Sequence, residues 1–365
     1  MRILHIIYDD IRNPWCGGGG AYRVSQVNEN IIHENQVIVL TGNFPGAKDE
    51  KINGVSYKRV GLKSSYLLSR ISFTLFIPFF MRKYKSDIVI NDCSFFAPCF
   101  ADLYTKRPVV NVIHHLMGKH AFKIYPFLGF FPFIFENIFL RIARNIITSA
   151  KGIKEEIQKR YHGKNVSNIA NGVSDELFLL KPEDENFVLF LGRIDVYMKG
   201  LDKLLEAFSK VQNRHMALKI AGSGKRSDEK KLVQLIKDLK LEERVEFLGK
   251  VSEKDKFELL RTCLFLVMPS RFEGWGITAV EANAAGKPVL GTKIKGLAEA
   301  VVHERTALLV ETEDVEGLRD GLDLFYEDSA LRARFGQEGR RWAKRFSWES
   351  IFSEQFAFYR KVIEG

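Results

Sequence analysis

The chain has little cysteine: four residues in 365, Cys16, Cys93, Cys99 and Cys263. None forms a C-x-x-C pair and no spacing suits a metal, so a reduced cytoplasmic protein is expected rather than a disulfide framework. Long apolar runs are lacking as well. The richest stretch, Ile124 to Phe135, is broken by Pro126 and Pro132 and is too short to cross a bilayer. The opening Met-Arg-Ile-Leu-His-Ile-Ile-Tyr-Asp-Asp has too short an apolar part for a signal peptide and reads as a first buried strand. No zinc finger, RNA-binding signature or basic helix pattern is present, so no nucleic acid is expected as a partner. The first glycine-rich turn lacks G-x-G-x-x-G spacing, and the second strand ends at Leu40-Thr41-Gly42 with no acidic residue. Both absences count against a nicotinamide dinucleotide.

What is present is an ordinary globular composition, 46% hydrophobic and 27% charged, in a length that suits two domains. The formal charge is +10, and it is uneven. Residues 1–180 hold 23 Lys and Arg against 14 Asp and Glu, whereas the remainder holds 32 against 31. A basic N-terminal half fits an anionic substrate or an anionic membrane surface. The same half is aromatic: residues 73–139 carry 14 of the 29 phenylalanines. The apolar stretches 73–84 and 119–144, flanked by Lys119, Lys123, Arg141 and Arg144, admit two readings. They are a buried helix pair, or they lie at a membrane interface.

Along the chain, short β-branched runs alternate with helical segments. Residues 3–8, 36–40, 55–60, 87–91 and 108–113 read as strands, and Ala21 to His33 as a helix following a loop that ends in Gly17–Gly20. A strand, a glycine turn and a helix can seat a phosphate. His114 directly follows a strand, where ligands collect in open parallel sheets. A histidine there serves either as a hydrogen-bonded structural residue or as a functional one. The polar segment Lys181–Asn186 marks a boundary near 178–186. Beyond it the alternation resumes, with strands at 187–191, 218–221, 245–248 and 264–268. Alternation of this kind predicts doubly wound α/β domains with a ligand-holding cleft.

One stretch organises the second half: Arg271-Phe-Glu-Gly-Trp-Gly276, a loop; Ile277 to Ala285, a helix stopped by Gly286 and Pro288; then a strand from Pro288. The bare amides near Gly276 and Ile277 suit an anion. Glu273 beside them would repel an anion, so it is expected to receive hydroxyl donors. Hydroxyls beside phosphate suggest a sugar phosphate or sugar nucleotide. Arg193 and Lys199 follow another strand end and together can neutralise a diphosphate.

Gly192-Arg193 with Lys199-Gly200, then Glu273-Gly-Trp-Gly with Glu281 eight positions on, resembles the family 4 retaining glycosyltransferases of the GT-B fold. Asn171-Gly172-Val173, the Gly17–Gly20 loop and Ala-Gly-Lys-Pro-Val at 285–289 resemble the same family, and the likeness spans nearly the whole chain. It implies an α/β fold of two Rossmann-like doubly wound domains facing each other across a cleft. The expected domains are residues 1–178, acceptor-binding and joined by a crossing C-terminal helix at 346–365, and residues 179–345, binding the nucleotide sugar.

The resemblance also implies roles. Arg193 and Lys199 would hold the donor diphosphate, Glu273 the hydroxyls of the transferred sugar, and Glu281 the ribose hydroxyls. Trp275, Gly276 and Ile277 would offer backbone amides. Gly18 and Gly19 would approach the diphosphate from the other domain. The base would lie near Gly222 and Val251, and His114 would sit near the sugar and the reacting centre, with His115 its neighbour in sequence. Transfer would retain configuration by front-face displacement, with no protein nucleophile, cofactor or metal; no tight Asp-x-Asp pair stands at a strand end. The expected donor is a UDP-hexose, with GDP open. The expected acceptor is a glycan, lipid-linked or membrane-proximal, in cell-surface polysaccharide or glycolipid synthesis, with the protein peripheral at the inner face of the membrane. A sugar-nucleotide epimerase on the same architecture and a non-catalytic membrane-associated sugar-nucleotide-binding protein are the rival readings.

Overall fold

Two runs of apolar strands build two sheets, and the chain divides by its internal contacts into Met1–Asn171 with Trp348–Gly365, and Gly172–Ser347. The computed structural model describes residues 1–10, 12–15, 18–32, 35–94, 97–116, 118 and 130–365; of residues 18–22 and 30 it describes the backbone only. The division at Asn171/Gly172 precedes the boundary expected at 178/179. The reason is local: Val173 N donates to Phe346 O at 2.9 Å, so the chain enters and leaves the second unit side by side.

The first unit holds β1 (Arg2–Ile6), α1 (Gly18–Ile31), β2 (Gln36–Gly42), β3 (Glu50–Ile52), β4 (Val55–Val60), α2 (Tyr66–Lys83), β5 (Ile88–Asp92), α3 (Ala101–Tyr104), β6 (Val109–Ile113), α4 (Phe130–Ile142), β7 (Asn145–Thr148), α5 (Lys151–Arg160) and β8 (Asn165–Asn168). Its sheet runs β3-β4-β2-β1-β5-β6-β7-β8. All pairs are parallel except β3 with β4. β1 pairs β2 on one side and β5 on the other, so the strand order reverses there, where doubly wound sheets open a crevice at their carboxyl ends. Strands β5 and β6 are buried at every position, as parallel strands covered on both faces are.

The helix expected from Ala21 begins at Gly18, so Gly18 and Gly19 form its first turn rather than a loop. Glycine is a poor helix former, but Val24, Val27 and Ile31 are buried and Arg23 donates to Gln355 at 2.7 Å, so packing overrides propensity. Gly17, His33 and residues 119–129 lie outside the described residues. The remainder of the 119–144 stretch forms α4, which buries Phe139 and Leu140 but leaves Phe130, Phe131 and Ile138 exposed.

The second unit holds β9 (Phe187–Leu191), α6 (Leu201–Ser209), β10 (Ala217–Ala221), α7 (Arg226–Asp238), β11 (Val245–Gly249), α8 (Glu253–Thr262), β12 (Leu266–Met268), α9 (Ile277–Ala284), β13 (Val289–Thr292), α10 (Lys295–Ala300), β14 (Ala307–Val310), α11 (Val315–Glu327) and α12 (Ser329–Ala343). Its sheet is wholly parallel, ordered β11-β10-β9-β12-β13-β14. In α6, Leu201, Leu204, Leu205 and Phe208 recur at helical spacing and are fully buried. The last helix, α13 (Trp348–Glu364), returns to the first unit and packs on α1.

Candidate active site

The second sheet also reverses its order, between β9 and β12. A pocket of about 190 Å³ opens at the carboxyl ends of these two strands. Leu191 lines it from the end of β9 with Gly192 just past it, and Met268 from the end of β12 with Ser270 two residues on. Arg193 and Lys199 enter from the loop after β9, and Glu273, Ile277 and Thr278 from the loop and first turn of α9. The spacing in sequence is wide, but each side chain follows a strand end of one sheet.

Lys199 and Glu273 form an ion pair through Nζ and Oε2, with both side chains mostly buried. Glu273 Oε1 also accepts from Gly274 N at 3.2 Å. Arg193 is different: it is exposed, and its nearest carboxylate, Asp195, is 3.9 Å away. The loop carrying both cations is held in place. Lys199 N donates to Asp195 O, and Arg271 N to Met198 O, each at 3.0 Å. Arg271 then grips Asp202 at 2.7 and 2.9 Å and also pairs with Glu313. Ser270 contributes a buried hydroxyl with no hydrogen-bond partner among the described residues.

Gly276 caps α9 in the left-handed conformation, φ 66°, which an L side chain rarely adopts. Ile277 therefore starts the helix with free amides beside Glu273. The indole of Trp275 is buried against Phe346, centroids 5.0 Å apart, so only its backbone is available to a ligand. Glu281, one turn beyond Ile277, is buried and bonded to Lys256 of α8 at 2.9 Å. Burial raises the Glu281 carboxyl above its ordinary value of 4.5, and Lys256 opposes the rise. Lys256 also reaches Glu253 at 2.6 Å.

Gly222 directly follows β10 and passes against Gly192, which directly follows β9. A Cβ there would stand 1.7 Å from Gly192 O. Gly222 N donates to Gly249 O at 2.8 Å, so Gly222 sets the spacing of three strand ends. Val251 lies two residues past β11, beside Ser252, which caps α8 through a reciprocal bond with Asp255. Of the residues singled out from sequence in this unit, Arg193, Lys199, Glu273 and Ile277 line the pocket. Gly222, Val251, Trp275, Gly276 and Glu281 do not, although Gly276 positions Ile277 and Glu281 shares its helix.

In the first unit, His114 follows β6 and is partly exposed. Its Nε2 lies 2.5 Å from Asp92 Oδ1, at the end of β5. The other oxygen, Oδ2, is 3.0 Å from Nε2 of His5 on β1, whose Nδ1 is 3.1 Å from Asn28 Oδ1 on α1. Burial opposes the charge on Asp92, but the two rings outweigh it and hold the carboxyl well below 3.8. An ionised Asp92 can only accept, so it fixes the hydrogen on Nε2 of His114 and leaves Nδ1 as the nitrogen turned to other partners.

Two family models match the chain in succession: Glycosyltransferase Family 4 over residues 17–177, and Glycosyl transferases group 1 over 176–342. An uncharacterized glycosyltransferase of Methanocaldococcus jannaschii is 34% identical over 96% of both chains. The chain belongs to the family 4 glycosyltransferases. Another relative, D-inositol 3-phosphate glycosyltransferase of Streptomyces avermitilis, is 32% identical over 50% of this chain and 41% of its own. Among solved structures, sucrose-phosphate synthase from Thermosynechococcus elongatus matches with a TM-score of 0.83 at 20% identity, covering 100% of this glycosyltransferase and 99% of that chain. An Anabaena protein, HepE, in complex with UDP-glucose matches at 0.77 and 18%, covering 98% and 99%. These likenesses establish the GT-B fold.

Ser270, Thr278, Lys256, Asp92 and His5 were not singled out from the sequence of this glycosyltransferase. Ser270 directly precedes the Arg271–Gly276 loop, which is a signal that could have marked it. The other partnerships are made across the fold and carry no local pattern.

Proposed function

We propose that this glycosyltransferase moves a hexose, with retention, from a nucleotide-diphosphate sugar, UDP by preference, to a lipid-linked or membrane-proximal glycan. The observation that carries the donor half is the convergence of Arg193, Lys199, Glu273 and the first turn of α9 on one pocket at the switch point of the second sheet. Two cations there can stabilise the diphosphate as it leaves, where negative charge grows in the transition state. Glu273, held by Lys199, is oriented to accept sugar hydroxyls rather than to attack. Glu281 takes the ribose hydroxyls, the base lies toward Gly222 and Val251, and Gly18 and Gly19 approach the diphosphate. The HepE complexes with UDP and UDP-glucose support a uridine donor. The chemistry proceeds without a metal ion, the cations doing its work. In the first unit, His114, with its tautomer set by Asp92, is the residue assigned to the sugar and reacting centre.

The test is a thermal-shift series with UDP, GDP and their hexose conjugates, followed by proton NMR of the first product formed. A rise in melting temperature with uridine ligands, absent in Lys199→Ala, and an α-anomeric product from an α-linked donor are expected. A shift with guanosine ligands alone overturns the base, and an inverted product overturns the mechanism. Conversion of the donor sugar without any acceptor would instead favour an epimerase.

A further inference from the structure

Helix α2 carries its apolar side outward. Leu67, Ile71, Leu75 and Phe79 recur every fourth residue along its outer face, with exposures of 64, 48, 61 and 66%. Leu68 and Phe76 widen the ridge. From Ile71 to Met81 the helix has no charged residue, and Arg70 is turned inward over the Tyr8 and Tyr66 rings. The inner face, with Phe73, Ile77 and Met81, already packs into the core. A surface helix normally shows the reverse polarity, and an exposed apolar patch of this extent marks a docking site.

The ridge ends in charge. Arg82, Lys83 and Lys85 follow it directly. Arg107 donates to Tyr84 O at 2.9 Å, which ties this basic end to the wall of a cavity of about 850 Å³. That cavity is lined by Lys106, Arg107, Arg141, Arg144 and Lys164, against one acidic side chain, Asp102, and the terminal residue Gly365. Asp102 is itself engaged by Asn111 at 2.9 Å. None of the five cations makes an ion pair among the described residues, and Leu103, 61% exposed, sits on the cavity rim. The side chain of Lys164 is held below its ordinary value, by burial and, against the pull of Asp102, by Arg144. The cavity is therefore a place where cations outnumber the acidic groups that face them.

We infer that α2 and this cavity form one docking surface for a bilayer containing anionic phospholipid, with the ridge in the acyl boundary and the cationic cavity on lipid phosphates. No described helix is long and apolar enough to cross a membrane, so α2, about 27 Å long at 1.5 Å per residue, lies along the interface. The charge selects the occupant. A protein partner or second copy seated on the ridge alone would leave the cations unmatched, whereas an anionic leaflet satisfies both halves at once. The surface deepens the proposal of a membrane-proximal acceptor and rests on that part of it alone.

Co-sedimentation with phosphatidylcholine vesicles, with and without phosphatidylglycerol, tests it in the absence of sugar nucleotide and acceptor. Failure here leaves the donor assignment standing. The full chain is expected to bind the anionic vesicles at low salt, to bind neutral ones at least tenfold more weakly, and to be released by high salt. The triple variant Leu67→Gln, Leu75→Gln, Phe79→Gln should lose vesicle binding. Arg141→Gln with Arg144→Gln should weaken it by on the order of tenfold. Far-UV circular dichroism and an unchanged response to UDP confirm that each variant is folded. Equal binding by the parent and the triple variant, or no binding by the parent, overturns the proposal. So does a parent dimer in sedimentation equilibrium that the triple variant abolishes, since the ridge is then covered by a second copy.

Discussion

Lys256 Nζ lies 2.9 Å from Glu281 Oε1 in a mostly buried ion pair between α8 and α9. The carboxylate assigned to the ribose is thus already partnered, and the lysine opposes the rise that burial imposes on its carboxyl. Lys256→Met removes that support. The Glu281 carboxyl, already above 4.5, then rises further. A group with a raised folded value adds stability below its unfolded value and loses it as pH rises through the folded one. The variant should therefore be close to the parent in acid and least stable at neutral pH, by about 3 kcal/mol for one partner lost from a buried pair. Urea melts at the two pH values measure this. UDP affinity should fall on an acid limb shifted to higher pH in the variant. A stability difference independent of pH would contradict the coupling.

Removal of the pocket cations should separate catalysis from folding. Lys199→Ala leaves Glu273 without its ion-pair partner, and Arg193→Ala removes an exposed side chain whose nearest carboxylate, Asp195, is 3.9 Å away. Each should lower kcat by ~100-fold or more, because each cation is proposed to stabilise leaving-group charge. Arg193→Ala should leave the melting temperature unchanged, since surface substitutions of this kind move stability by about 0.5 kcal/mol at most. Near-parental turnover in both variants, measured at saturating donor, would end the diphosphate assignment.

Much of this pocket was legible in the sequence. Arg193, Lys199, Glu273 and Ile277 each stand just past a strand or at a helix start, and those positions are set by local pattern. The partners that tune them were not legible. Lys256 sits among the charges of an ordinary amphipathic helix, and nothing in its neighbourhood points 25 residues ahead to Glu281. Asp92 reads as the polar end of a strand until the fold sets His114 and His5 on either side of it. The fold class followed from alternating strands and helices, and parallel order gave both sheets. The start of α1 did not follow, because propensity disfavours the three glycines of its first turn while burial of Val24 and Val27 decides the matter. The outward face of α2 was equally hidden: a run such as Phe-Thr-Leu-Phe-Ile-Pro-Phe-Phe reads the same whether a core or a membrane receives it.

Asp92→Asn should disturb His114 without unfolding the unit at its active-site end. The amide can accept from only one of the two rings, and it no longer compels hydrogen on Nε2 of His114. Nitrogen NMR of labelled histidine should show the parent with Nε2 protonated and the variant with a mixture. The folded carboxyl lies below 3.8, so its stabilising contribution is present above that value and is lost as pH falls through the folded one. The variant should be less stable than the parent at neutral pH, with the gap closing in strong acid. If transfer uses His114, kcat should fall while the UDP-induced thermal shift stays unchanged, a split that a purely structural defect would not produce.

Gly222 and Gly249 offer a matched pair for the scaffold behind the pocket proposed to take the donor. Both have positive φ, 142° and 68°, and they are joined by a hydrogen bond of 2.8 Å. Their surroundings differ. A Cβ at Gly222 meets Gly192 O at 1.7 Å, whereas one at Gly249 meets nothing within 4 Å. Gly249→Ala should cost only the conformational strain, about 1 kcal/mol. Gly222→Ala must also push β10 away from the loop that carries Arg193, and should cost several-fold more, with a loss of UDP response even where the unit remains folded. Equal melting temperatures for the two variants would mean that the β9 and β10 ends tolerate separation, and that Gly192 O does not set the shape of the pocket.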